Sequence, residues 1–328
     1  GGSRGRGTVL PAAPDSATLT DGPAQPDAVC GRDRIAFSDT IQPHGALIAF
    51  DAENGNVAAC SANTALFLDR GPGELLGNGV AALGIADLAA VIDDLWSLPP
   101  KARALGCCAT LTAVDGAPLA ARLHEQAGRI ILEVERLPEP MDAKLTATIH
   151  NGLQPGLANL REAAGLDDLA AHAARTVRQL TGLERVILCR FDADGIDTVI
   201  GEDGVEDWGA SLLGARFSAS GGQTPMRALH VGGRLRFVPD RDAEPVPLLH
   251  AVAGAPPLDL CHADLPGLPA AFLDVQQAAG VNAVLSVTIL KGGKPWGVIL
   301  GQHRQPHAVP PALRSLAVTV ADAFSLGL

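Results

Sequence analysis

No tyrosine occurs anywhere in the 328 residues, and aromatic residues together make up only 3% of them. Any site built on phenol hydroxyls must therefore be built here from something else. Charge is also sparse: 19% of residues are charged, the net charge is −11, and no basic cluster interrupts it. That balance points away from nucleic acid and from anionic membrane surfaces, which both call for concentrated Lys and Arg. No apolar run reaches the eighteen or more residues of a membrane span, and the first residues lack the apolar core of a secretory signal. The six cysteines contain no CxxC pair and no finger-like spacing, so reduced thiols in a soluble, cytoplasmic chain are expected. A Gly-rich phosphate loop and a G-x-S-x-G elbow are both missing. On chemistry-bearing motifs alone the chain does not read as an enzyme, and no metal site is expected.

What is present is ample apolar material, 47% of residues, arranged as two α+β units behind a leader. Residues 1–26 are rich in Gly, Pro, Ala and Ser, a composition that predicts disorder. The first unit spans residues 27–140. In "GALIAFDAENGNVAACS" two apolar runs flank Glu53-Asn54-Gly55-Asn56, a hairpin signal because Asn and Gly tolerate positive φ. "NTALFLDRGPGELLG" and "VAALGIADLAAVIDDLWSL" predict short helices, and "AGRIILEVERL" a strand. The second unit spans residues 141–328. Leu166, Leu169, Ala173, Val177 and Leu180 line one helical face, with Gly182 where a helix stop belongs. "RVILCRF" predicts a strand, and "NAVLSVTILKGGKPWGVILGQH" two buried strands joined at Gly292-Gly293. The final segment spaces Leu313, Leu316, Ala317, Val320 and Phe324 as a helical stripe, for which a partner helix or a further domain is the expected cover.

Individual residues admit plain readings. His303 and His307 could be a metal pair, but Pro306 between them opposes the helical geometry such a pair needs. Vicinal Cys107 and Cys108 lie in a strand-like stretch and suit the role of small hydrophobes. Cys30 stands eleven residues ahead of Ile41-Gln42-Pro43-His44-Gly45; on spacing alone it is either an incidental thiol or one placed to hold something.

The stretch "SDTIQPHGALIAFD" resembles the start of the PAS domain of bacteriophytochromes, the bilin-binding red-light sensors. The second half is similar to the GAF domain of that family, with "TGLERVILCRFD", "LLGARFSAS", "RLRFVPDRDAEPVPLL", "LDLCHADL" and "LSVTILKGGKPWGVILGQH" in the family's order. The resemblance runs from about residue 27 to the last residue. It implies a PAS domain and a GAF domain, each an antiparallel sheet flanked by helices. It implies a figure-eight knot, in which the segment before the PAS domain threads under a long GAF insertion, here "DRDAEPVPLLHAVAGAPPLDL", with Ile41 near the crossing. It also implies covalent attachment of biliverdin through a thioether from Cys30 to the ring A vinyl group.

The pocket that the resemblance implies departs from the family's pattern. The family's Pro-Ala-Ser-Asp-Ile-Pro signature is "SASGGQ", with Gly221 in the place of the aspartate. The two pocket histidines align with Phe272 and Gln302, and three tyrosines with Cys189, His230 and Val275. One propionate-binding arginine aligns with Pro266; Arg236 matches the other, and Phe217 and Ser286 are kept. Two readings stay open. The chain holds biliverdin through Cys30 and Arg236, with weak red/far-red conversion and enhanced near-infrared fluorescence for want of a proton relay. Alternatively the pocket has been filled, and the chain is an interaction or dimerisation module, a homodimer forming through the Leu313–Phe324 stripe. A cyclic-nucleotide GAF site in "SASGGQT" ranks third, since it gives Cys30 no role.

Overall fold

The computed structural model describes residues 39–137, 141–192, 196–218, 234–266 and 270–328. Cys30, Gly221 and His230 lie outside the described residues. So do the leader and any threading of the chain ahead of residue 39.

The first domain is built on a hairpin. Strands β1 (Thr40–Ile41), β2 (Ala46–Asp51) and β3 (Val57–Ser61) open the chain. Asp51 closes the β2–β3 turn by accepting backbone N–H bonds from Glu53 and Asn54, with Gly55 at a φ of 73°. Four short helices follow: α1 (Thr64–Leu68), α2 (Pro72–Leu75), α3 (Leu88–Ser97) and α4 (Pro100–Leu105). Strands β4 (Cys107–Thr112), β5 (Pro118–Gln126) and β6 (Arg129–Arg136) complete the antiparallel sheet. One face of it packs Ile48, Phe50, Leu123, Leu132 and Val134 against Leu68, Leu75, Leu88 and Leu95 of the helices. This layering of helices over one sheet face is how an alternating sheet removes its apolar side from water.

A helical stretch, α5 (Met141–Thr148) and α6 (Gln154–Glu162), leads to α7 (Leu166–Thr181). Strands β7 (Arg185–Phe191), β8 (Ile196–Gly204) and β9 (Arg216–Ser218) come next, then β10 (Leu235–Val238). Helix α8 (Ala270–Ala278), strands β12 (Ala283–Lys291) and β13 (Lys294–His303), and α9 (Pro311–Leu326) close the second domain. Its sheet runs β10-β12-β13-β7-β8-β9, all antiparallel. Gly292 and Gly293, both at positive φ, make the two-residue turn between β12 and β13. Alternation divides the sheet's side chains between two faces. Leu188, Leu285, Val287, Ile299 and Phe237 pack under α7 and α9, whereas Ile187, Cys189, Val284, Val298 and Leu300 face the other way with Phe217 and Phe272.

The C-terminal stripe is not left open. Ala317, Val320 and Phe324 are fully buried in the second domain's own core beside Leu169, Ala173 and Val177 of α7. The cover expected from a partner helix comes from this chain's α7 and sheet, which removes the observation that motivated a homodimer through this face.

Between β10 and α8 the chain leaves the second domain. Strand β11 (Val246–His250) inserts into the first domain's sheet, whose order becomes β1-β11-β3-β2-β6-β5-β4. Ile41 pairs with Val246 on the outgoing arm and bridges to Pro266 on the returning arm. Gln42 donates from its backbone N–H to the Leu265 carbonyl at 2.9 Å and from its side chain to the Phe237 carbonyl at 2.7 Å. The chain's entry into the first domain thus lies between both arms of the excursion. Gly45 is required there, because a Cβ would sit 2.8 Å from Leu265 and from the Val134 carbonyl.

Candidate functional site

The second domain's outer sheet face mixes apolar with buried polar side chains. Arg236 on β10 pairs in register with Ser286 on β12, which pairs with Leu300 on β13, which pairs with Ile187 on β7. One step along, Val298 pairs with Cys189, and one step back Val284 pairs with Gln302. Arg236, Ser286, Cys189 and Gln302 are all buried. Helix α8 lies against this face with Phe272 and, one turn on, Gln276, whose side-chain oxygen accepts a 3.2 Å hydrogen bond from Gln302. Val275 on the same helix is 37% exposed and stands apart from the buried group. Burial pushes the Cys189 thiol up to about 12, so it stays protonated and packs as a small hydrophobe. The structure thus brings Cys189, Arg236, Ser286, Gln302, Phe217 and Phe272 to one face, and sets Ile41 at the crossing with the first domain.

Two buried cations lie on this face: Arg185 of β7, which pairs with Glu202 at 2.5 Å, and Arg236. Arg236 has no carboxylate partner among the described residues. It donates from Nη1 to the carbonyls of Leu235 (3.1 Å) and Ala263 (2.9 Å), and from Nη2 to that of Cys261 (3.2 Å). Its Nε–H is buried with no partner. Three of the five guanidinium donors are thus engaged, and a neighbouring pair remains to receive an anionic group.

Behind Arg236 lies a charged cluster that sequence reasoning did not find. Glu133 of β6 is 4% exposed; its Oε1 accepts the backbone N–H groups of Asp264 (2.8 Å) and Leu265 (2.7 Å). Arg122 of β5 donates to Glu133 Oε2 at 3.2 Å, to the His262 carbonyl at 2.7 Å and to the Leu105 carbonyl at 3.1 Å. Burial, then the like charge of Asp264, push Glu133 up to about 7 against the pull of Arg122 and the two N–H donors. Alternation hid this pair, since a strand of β-branched residues gives no sign that a glutamate points into an interface. Cys261 sits in the same arm with its Sγ facing Gln126 Nε2 at 3.3 Å.

A second interface group joins both domains. Arg314 of α9, 2% exposed, reaches Glu135 of β6 at 2.5 Å and lies 4.9 Å above the Phe237 ring. His44 of the IQPHG turn meets Phe237 edge-on at 5.7 Å and stands 3.8 Å from Glu135, with neither ring nitrogen hydrogen bonded. Burial, aided by the Arg314 charge, pulls His44 down to about 3. A histidine kept neutral in the native state and ordinary (6.5) in the unfolded one binds fewer protons when folded. Its contribution is whole above pH 6.5 and is lost as pH falls toward 3. At pH 5 the loss from His44 is about 2 kcal/mol, from 1.36 kcal/mol per unit. His124, pulled below 6.5 by burial, acts in the same sense, while Glu133, raised, acts in the opposite one. We therefore expect His44→Leu to lose about 2 kcal/mol less than the parent chain between pH 7 and pH 5 in urea unfolding. Parallel pH dependences of the two proteins would contradict the burial of a neutral His44.

His303 and His307 stack at 4.6 Å, and His307 Nε2 donates to the Thr181 carbonyl at 2.9 Å. Among the described residues no group of three or more His, Cys, Asp or Glu is placed to hold a metal ion, and no helix is long and apolar enough to cross a membrane.

Two domains, with one strand from the second inserted into the sheet of the first, define the class. The PAS fold family matches residues 30–137, and the GAF domain family matches residues 165–328, half of the chain. The chain belongs to the GAF domain family, with a PAS fold ahead of it, and its two-domain arrangement is that of the bacteriophytochrome photosensory fragment. The chromophore-binding domain of Stigmatella aurantiaca phytochrome P1 superposes with a TM-score of 0.79 at 28% identity, covering 90% of this chain and 98% of that one. The chromophore-binding domain of an unusual bacteriophytochrome from R. palustris does so with a TM-score of 0.76 at 26% identity, covering 90% and 97%. Among curated proteins, cyanobacterial phytochrome B of Nostoc is 27% identical over 300 residues, 87% of this chain and 38% of that protein. A bacteriophytochrome of Xanthomonas campestris is 28% identical over 307 residues, 89% and 46%. The chain spans less than half the length of these curated relatives.

Proposed function

We propose that the chain is a light-sensing module that holds biliverdin against the outer face of the GAF sheet, with Cys30 as its covalent anchor. The observation that carries this reading is the face itself: apolar Val284, Val298, Leu300, Phe217 and Phe272 share it with buried Arg236, whose Nε–H is unpaired. A flat, conjugated, mostly apolar molecule bearing carboxylates suits such a surface. Biliverdin, when bound, supplies absorption of red light. Ser286 offers a hydroxyl and Gln302 an amide toward it, and Cys189 and Ile187 give packing; Gly221 and His230, matched by resemblance, complete the proposed set. The Cys30 thiol adds across the ring A vinyl group: a C–S bond forms at one vinyl carbon, and the thiol proton ends on the other. No oxidant is needed. Ile41 is held between Val246 and Pro266.

The competing reading, a PAS–GAF interaction module with a filled pocket, draws on the Gln276–Gln302 bond and on Phe272 packed against the face. Incubation with biliverdin followed by a zinc-stained denaturing gel tests the assignment. We expect a fluorescent band in the parent chain and none in Cys30→Ser. A band that persists in Cys30→Ser would move the attachment elsewhere, with Cys261 the next thiol to replace; a dark gel in both would favour the interaction module.

A further inference from the structure

The free donors of Arg236 are set from the other domain. Its engaged donors go to the carbonyls of Cys261 and Ala263, in the returning arm of the excursion, as well as to Leu235. Among the described residues between β11 and α8, that arm has no regular secondary structure apart from the bridge at Pro266. What fixes it is the carboxylate of Glu133, which takes the N–H groups of the next two residues, Asp264 and Leu265, on one oxygen. Arg122 braces the other oxygen and also takes the His262 carbonyl, between the two carbonyls that Arg236 uses. Five consecutive residues, 261–265, are thus held from the PAS side by Glu133 and Arg122 and present two carbonyls to the GAF side.

We infer that Glu133 is a positioning residue for the GAF site: by fixing the 261–265 arm it aims the Nε–H and the remaining Nη2–H of Arg236 at a ligand carboxylate. The inference rests on the bilin reading and adds to it that carboxylate recognition in the GAF domain is governed by a PAS side chain that touches no ligand. A charged, two-donor contact of this kind separates a carboxylate from its ester by about tenfold or more in affinity.

The test compares biliverdin with its dimethyl ester, which keeps the ring system and loses both negative charges. Dissociation constants for each are measured by absorbance in the Cys30→Ser background, where binding is reversible, for the otherwise unchanged parent chain, Glu133→Gln and Arg236→Met. Glu133→Gln keeps the side chain's length and an oxygen acceptor but presents an amide to Arg122. The expected result is an acid-over-ester preference of about tenfold or more in the parent chain. It should fall toward one in Arg236→Met and most of the way there in Glu133→Gln, with ester affinity little changed. Loss of general packing would weaken both ligands alike and leave the ratio standing, so an unmoved ratio in Glu133→Gln overturns the inference. A parent ratio of one overturns it as well, because Arg236 then reads no carboxylate. Should Glu133→Gln fail to fold, Glu133→Asp carries the test: it keeps the charge, withdraws the oxygens by one methylene, and should give an intermediate ratio, with a parental ratio counting against the inference. If neither ligand binds the parent chain, the bilin reading falls and takes this inference with it.

Discussion

Arg314→Ala should lower the free energy of unfolding by about 3–5 kcal/mol, the range for removing one partner of a buried ion pair. Arg314 is the largest fully buried side chain in the described structure, and it meets Glu135 at 2.5 Å across the domain boundary. Removing it leaves a desolvated carboxylate whose ionised form Arg314 had supported, and empties the space above Phe237. It also cuts a tie between α9 and the first domain's sheet. Burial raises Glu135, and Arg314 opposes that rise, so the variant's Glu135 should take up a proton at higher pH than the parent's. Replacing the pair together, Arg314→Met with Glu135→Leu, should recover most of the loss, because the penalty comes from stranding one charge rather than from lacking the bond. Urea unfolding followed by tryptophan fluorescence measures all three. A cost below about 1 kcal/mol for Arg314→Ala would place the pair in the class of solvent-exposed ion pairs and contradict its burial.

The second large effect concerns light. In the double variant Gly221→Asp, Gln302→His we expect the rate of red-light conversion of bound biliverdin to rise by about 10²-fold or more, from the low end of the 10²–10⁴ span of a positioned proton-transfer group. Neither Gln302 nor its partner Gln276 titrates, and Cys189 holds its proton to about 12. Gln302, Gln276 and Cys189 therefore offer no proton exchange near neutral pH. A histidine at 302 brings a group whose ordinary value is near 6.5, and an aspartate at 221 brings a fixed anion. The parent chain, by the same reasoning, should return more of its absorbed light as fluorescence. Difference spectra recorded at intervals during red illumination give the answer. An unchanged photoresponse with biliverdin still bound would reject the missing proton relay as the limiting defect.

The regular elements were legible because each carries a local signal. The β2–β3 hairpin follows from Asn54 and Gly55, the end of α7 from Gly182 at φ 70°, and the β12–β13 turn from Gly292-Gly293. The face of α9 was read correctly, but its cover was not. A stripe such as Leu313–Phe324 says that something packs on it, and only the tertiary fold says that the something is α7. The β11 excursion was placed by resemblance, whereas its insertion between β1 and β3 depends on pairing between residues about two hundred positions apart. The charged interface was the least legible part. Glu133, Glu135, Arg122 and Arg314 sit in strands and a helix whose apolar neighbours dominate the pattern, and a charge in such a segment reads equally as a solvated side chain. Their partners come from the other domain, and no local spacing encodes that. Arg236 was found by its match to a family position; the three carbonyls that hold it were not.

The central claim is that the GAF face binds a linear tetrapyrrole, and a biliverdin titration of the purified chain, followed in the visible spectrum, tests it most directly. The account predicts a sharpened red absorption band that grows linearly and stops at one equivalent per chain. Spectra that remain the sum of free biliverdin and protein at every ratio would contradict it and leave the PAS–GAF fold as an interaction module.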